Sequence, residues 1–126
     1  MATLAPTFTV SRDDLRREVH YAVCGLFTVD RIDALFEELR RKSKPFIEDR
    51  KGFRVLGDLR QYTVQTRDVA EKMQMSQEVS AKVGVTKMAI VYESVLLKQQ
   101  FRRVSSALEM GYFRDLPEAL AWLREG

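Results

Sequence analysis

One cysteine and one histidine among 126 residues leave little for metal or redox chemistry. A lone Cys24 forms no internal disulfide, and Cys24 with His20 cannot supply the several ligands of the usual zinc sets. Cys24 lies in the apolar run VHYAVCGLF, with no cation in the two residues before it. That setting favours a small packed hydrophobe over a reactive thiolate. Glycine is missing where phosphate chemistry needs it. Gly57 stands alone after an apolar run, and G-x-G-x-x-G, the P-loop and G-x-S-x-G are all absent. No apolar run nears the roughly twenty residues of a membrane span. The start MATLAPTFTV lacks the basic and apolar regions of a signal peptide. No stable membrane insertion, a cytoplasmic location, and neither a cofactor nor a metal are the expectations.

What is present is ordinary for a globular chain: 45% hydrophobic and 31% charged residues with a net charge of +3. One domain over residues 1–126 follows from the length. Arg40, Arg41, Lys42 and Lys44 cluster, but Glu37, Glu38 and Glu48 are interleaved and no aromatic residue is placed to stack bases. The cluster reads as a solvated helix end whose cations complement the dipole, and no nucleic-acid partner is expected. The adjacent pairs Asp13/Asp14 and Glu37/Glu38 read as solvated charges, because neighbouring residues do not face each other on a helix.

Periodicity divides the chain. Residues 7–14 and the alternating Val19, Tyr21 and Val23 predict a β-hairpin. Thr28 is placed to cap a helix whose stripe is Val29, Ile32, Leu35, Phe36 and Leu39, and Pro45 is expected to end it. Residues 53–59 predict a strand, and residues 66–82 a helix stopped by Gly84, with Val69, Met73 and Val83 inward. KMAIVYES predicts a strand buried on both faces. Ser94 is placed to cap a helix carrying Leu97, Phe101, Val104 and Leu108 that Gly111 ends. Tyr112 and Phe113 form a brief strand, and Asp115, Pro117 and Glu118 open a final capped helix. Trp122 is expected to pack its ring beside that helix with its N–H toward water. The order β-β-α-β-α-β-α-β-α implies an α/β fold with a mixed, largely parallel sheet.

The stretches VHYAVCGLFTVDRIDALFEEL, FRVLGDLRQYTVQTRD and FRRVSSALEMGYFRDLPEALAWL resemble STAS domains, the fold of the anti-sigma-factor antagonist SpoIIAA. The tail F-x-D-x-x-x-A-x-x-W-L over residues 113–123 is most similar to a SpoIIAA-like branch grouped with lipid-binding SEC14 or CRAL-TRIO folds. The resemblance implies a non-enzymatic regulatory domain that binds a protein partner. In the antagonists a loop D-S-S-G carries a serine phosphorylated by a partner kinase. The matching stretch here is near Thr66, Arg67 and Asp68, without the serine pair or the glycine.

The candidate interaction loop, residues 61–68, offers Thr63, Thr66, Arg67 and Asp68, with Asp58 just before it. Thr66 serves either as a helix cap or as a switch hydroxyl, and Arg67 can draw an anion to the helix start. The alternative reading is an apolar small ligand or lipid, held between sheet and helices by Met73, Met88 and Phe101. Methionines at helical spacing serve equally well as core filler. His20, mid-strand and tied to no motif, reads as structural or surface rather than catalytic. The first strand is an edge, and pairing of that edge makes a homodimer an expectation.

Overall fold

The computed structural model describes residues 5–101 and 108–125, with the side chains of residues 100 and 101 left undescribed. Nine elements follow the expected order: β1 Thr7–Asp13, β2 Glu18–Gly25, α1 Val29–Asp49, β3 Phe53–Tyr62, α2 Arg67–Val83, β4 Val85–Val91, α3 Val95–Phe101, β5 Glu109–Phe113 and α4 Leu116–Leu123. One sheet runs β1-β2-β3-β4-β5, with β1 antiparallel to β2 and the other three pairings parallel. Because each parallel strand lies beside the previous one, crossovers of a single hand put their helices on one face of the sheet. Ile32 and Leu35 of α1, Val69 and Met73 of α2 and Leu97 of α3 join one apolar core with Val19, Tyr21, Val55, Met88 and Ile90 of the sheet. A second core on the opposite face joins Leu56, Ala89 and Val91 to Ala119 and Leu123 of α4. Strand β4 contributes to both, since its alternate side chains point to opposite faces. Each fully buried Ile or Leu in these layers is worth about 1.5–3 kcal/mol of transfer free energy.

The caps at Thr28, Ser94, Asp115 and Gly84 fall where the sequence places them. Arg31 N–H donates to Thr28 Oγ1 at 3.1 Å, and Leu97 N–H donates to Ser94 Oγ at 3.3 Å. Glu118 N–H donates to Asp115 Oδ2 at 3.2 Å, and Gly84 ends α2 with φ 110°. Two stops fail. Pro45 lies inside α1, which continues to Asp49 and turns at Arg50 with φ 58°. Proline removes only the N–H that would reach the Arg41 carbonyl. Arg12 Nη1 donates to the next carbonyl, Lys42, at 3.1 Å, and Phe46 beyond the proline is buried against Phe53 with ring centroids 5.7 Å apart. The basic cluster is therefore in mid-helix rather than at its end. Its charges are paired along the helix, Arg41 with Glu38 and Lys44 with Glu48.

Gly111 ends no helix but sits inside β5. A Cβ there would come within 2.7 Å of the Phe113 ring and 2.9 Å of Trp122, so the position is one of close packing. Leu108 is buried just before β5, outside α3, and Val104 lies outside the described residues. Val29, placed on the inner stripe of α1 by its spacing, is 37% exposed. Cys24 is half-buried on β2 rather than enclosed.

Candidate functional site

Three loops leave the carboxyl ends of β2, β3 and β4, the end of a parallel sheet at which open α/β folds bind. Strand β3 extends to Tyr62, further than its apolar run suggests, because the ladder with β2 shifts register between Ala22 and Cys24. The irregularity lets both Leu59 and Tyr62 reach the large core. Asp58 is therefore a strand residue, not part of the loop. Arg60 binds it through Nε at 2.9 Å and Nη2 at 2.7 Å, and these hydrogen bonds hold the Asp58 carboxyl below its ordinary pKa against partial burial.

The loop proper is residues 63–66. Thr63, Val64 and Thr66 are exposed, and Gln65 is buried at 6% exposure. Gln65 joins two loops: Phe27 N–H donates to its Oε1 at 2.8 Å, and its Nε2 donates to the carbonyls of Gly25 at 3.2 Å and Thr63 at 2.6 Å. Thr66 takes the N-cap backbone conformation, but its side chain makes no capping bond. Arg67, 90% exposed, pairs with Glu71 one turn on at 3.1 Å. Asp68 lies in the first turn of α2, where a negative charge complements the dipole. Thr63, Thr66, Arg67 and Asp68 thus share one exposed segment, and Asp58 stands apart with its own arginine. Five of the eight exposed large apolar side chains among the described residues lie at the same end, Leu26 and Val29 after β2, Val64 after β3, Val95 and Leu96 after β4, while Leu15 lies in the β1–β2 turn and Met75 and Val79 on α2.

Between α1 and α2, above the sheet, a half-open cleft encloses about 700 Å³. Met73 and Met88 line it together with Tyr21, Leu35, Val55 and Gln77. The Phe101 side chain lies outside the described residues. Burial pushes the Tyr21 hydroxyl well above its ordinary pKa, and the same cause, with Tyr21 close by, raises Tyr62. A Cβ at Gly57 would come within 2.5 Å of the Tyr21 hydroxyl, so glycine there makes room for the ring. Gln77 is 2% exposed, and neither amide atom has a protein partner.

At the opposite end of the sheet His20 does have a carboxylate. Its Nε2 is 2.9 Å from Glu18 Oε1, two residues back on the same side of β2. Arg124, just after α4, grips both Glu18 oxygens at 3.1 Å. Glu18 is 1% exposed. Desolvation raises its pKa, but the bonds and charges of Arg124 and His20 outweigh that and leave it lowered. Arg54 Nη1 donates to the Leu123 carbonyl and Lys87 Nζ to the Trp122 carbonyl at 2.6 Å. This cluster therefore clamps the end of α4. Lys87 also lies 4.2 Å from the centroid of the Trp122 ring, which packs on Phe113. Glu18, Gln65 and Gln77 are absent from the sequence reading. For Glu18 the i, i+2 spacing to His20 on a strand was a usable signal; for the two glutamines there was none.

A family model described as SpoIIAA-like matches residues 19–124. The chain belongs to the SpoIIAA-like family. Two solved structures share the fold. An uncharacterised protein with a SpoIIAA-like fold from Shewanella loihica PV-4 is 14% identical, with a TM-score of 0.67 and 98% of each chain covered. An anti-sigma factor antagonist from Mycobacterium paratuberculosis is 14% identical, with a TM-score of 0.62 and 96% of each chain covered. No curated protein matches in sequence. As a SpoIIAA-like domain the chain has a mixed five-stranded sheet with four helices, and none of its described helices is long and apolar enough to cross a membrane.

Proposed function

We propose that this SpoIIAA-like chain is a non-enzymatic regulatory domain that binds a protein partner through the carboxyl end of its sheet. The observation that carries the reading is the set of exposed apolar side chains there, Leu26 and Val64 on loops and Val95 and Leu96 at the start of α3, all just beyond buried strands. Thr63, Thr66, Arg67 and Asp68 supply the polar part of the same surface, and the likeness to an anti-sigma factor antagonist supports a regulatory role. Affinity capture tests it with wild type beside the double variants Val64→Asp/Leu96→Asp and Thr66→Glu/Arg67→Glu. A partner retained by wild type and lost from both variants, with their melting temperatures unchanged, is the expected result. Equal retention by all three proteins would refute the surface. The edge of β1 is where a second copy would pair, and sedimentation over a concentration series reads that association.

A second reading is favoured by the cleft between α1 and α2: the chain binds an apolar small molecule there, with Met73 and Met88 adapting to its shape. Native mass spectrometry of the purified chain with a hydrophobic probe tests it.

A further inference from the structure

Gln77 is the odd residue in the α1–α2 cleft. Most of its neighbours in the lining are apolar or ion-paired, and two serines bond within α2: Ser76 Oγ donates to the Met73 carbonyl at 2.7 Å, and Ser80 Oγ to the Ser76 carbonyl at 2.8 Å. Among the described residues the buried side-chain groups without a protein partner are the Tyr62 hydroxyl and both amide atoms of Gln77, and of the two residues Gln77 lines the cleft. Buried polar groups in native proteins are paired as a rule, and an exception calls for a reason. Core packing alone would be served better by leucine or methionine of similar size.

The cleft also has a shape. Its lining runs along α1 from Leu35 to Glu48, a stretch of about 20 Å at the helical rise. A mainly apolar, half-open cleft of that length suits an extended aliphatic chain. The charges at its mouth are matched within or beside α1, Arg41 by Glu38, Lys44 by Glu48 and Lys72 by Asp33 at 3.0 Å. Among the described residues no surplus cation is left there to select an anion. An ionised carboxylate would also set its charge against Gln77 Oε1, whereas a hydroxyl both accepts from Nε2 and donates to Oε1.

We infer that the cleft takes a long-chain aliphatic molecule with a neutral hydroxyl head, and that Gln77 is the residue that recognises the head. This rests on the second reading above. It is tested by titrating the intact chain with dodecan-1-ol, its methyl ether and dodecanoate at pH 8, using native mass spectrometry and calorimetry. The alcohol is expected to bind about tenfold tighter than the ether or the dodecanoate, the discrimination that one buried hydrogen bond gives. Gln77→Leu is expected to bring alcohol and ether within about twofold of each other without weakening the ether, and to melt at a higher temperature than wild type. Gln77→Met gives the same readout should the leucine variant fold poorly. Equal affinity of alcohol and ether in wild type would mean that solvent serves the amide; it would overturn the assignment and leave apolar binding standing. Dodecanoate binding as tightly as the alcohol would overturn the neutral head. Binding of none of the probes would remove both the inference and the reading under it.

Discussion

Gln65 and Gln77 are the same side chain at nearly the same depth, 6% and 2% exposed, in opposite circumstances. Gln65 is satisfied through both amide atoms and fixes the backbone of two loops. Gln65→Ala would leave the Phe27 N–H and the Gly25 carbonyl without it. We expect a loss of about 1–3 kcal/mol in denaturant unfolding, with faster exchange of the Phe27 amide proton in NMR. Glu18 shows a third way of burying a polar group, with Arg124 and His20 both bonded to its carboxylate. Against desolvation, the bonds and charge of Arg124, with the His20 bond, hold its carboxyl below its unfolded pKa. The stability it contributes is therefore complete above that unfolded value and is lost as pH falls through the lower folded value. Urea midpoints measured between pH 7 and pH 3 should fall less steeply for Glu18→Gln than for wild type, with Glu18→Gln the less stable at neutral pH because Arg124 and His20 lose their anion.

At the level of elements, what was legible was what is local. Thr28, Ser94, Gly84 and Asp115 act within one turn of their own positions, and the two-residue alternation of Val19, Tyr21 and Val23 is a property of the strand itself. Pro45 and Gly111 were misread because their local preference is overridden from a distance. The Lys42 carbonyl, next to the one the proline leaves unserved, is bonded by Arg12 thirty residues earlier, and the glycine is required by an indole that arrives with the next helix. The cleft was legible only in its methionines, since its polar residue is unremarkable in sequence and becomes exceptional when two helices close over it. Pro45 also leads to a prediction. It is exposed and offers no packing to lose, so Pro45→Ala restores an N–H to the Arg41 carbonyl and should raise stability by up to about 3 kcal/mol. Guanidinium unfolding checks it, and a decrease would show that the proline serves the packing of Phe46.

On the scale of the whole molecule, two apolar layers share a single sheet. Met88 and Ile90 face one layer and Ala89 and Val91 the other, so neither layer can open without disturbing β4. The chain should therefore unfold in one step. Trp122 is the sole tryptophan and reports on the α4 side, whereas the far-ultraviolet dichroism is dominated by α1 and α2. The two signals should give the same urea midpoint. A lower midpoint for the fluorescence would mean that α4 detaches first and that the clamp of Arg54, Lys87 and Arg124 is weaker than its geometry suggests.

The bond pattern of Gln65 bears on the thermodynamics of any encounter at that end of the sheet. Two of the three loops are held to each other before a partner arrives, so few backbone torsions remain to be frozen on docking. Association there should carry a small entropic penalty on this chain's side, and most of the ordering would fall to whatever approaches it.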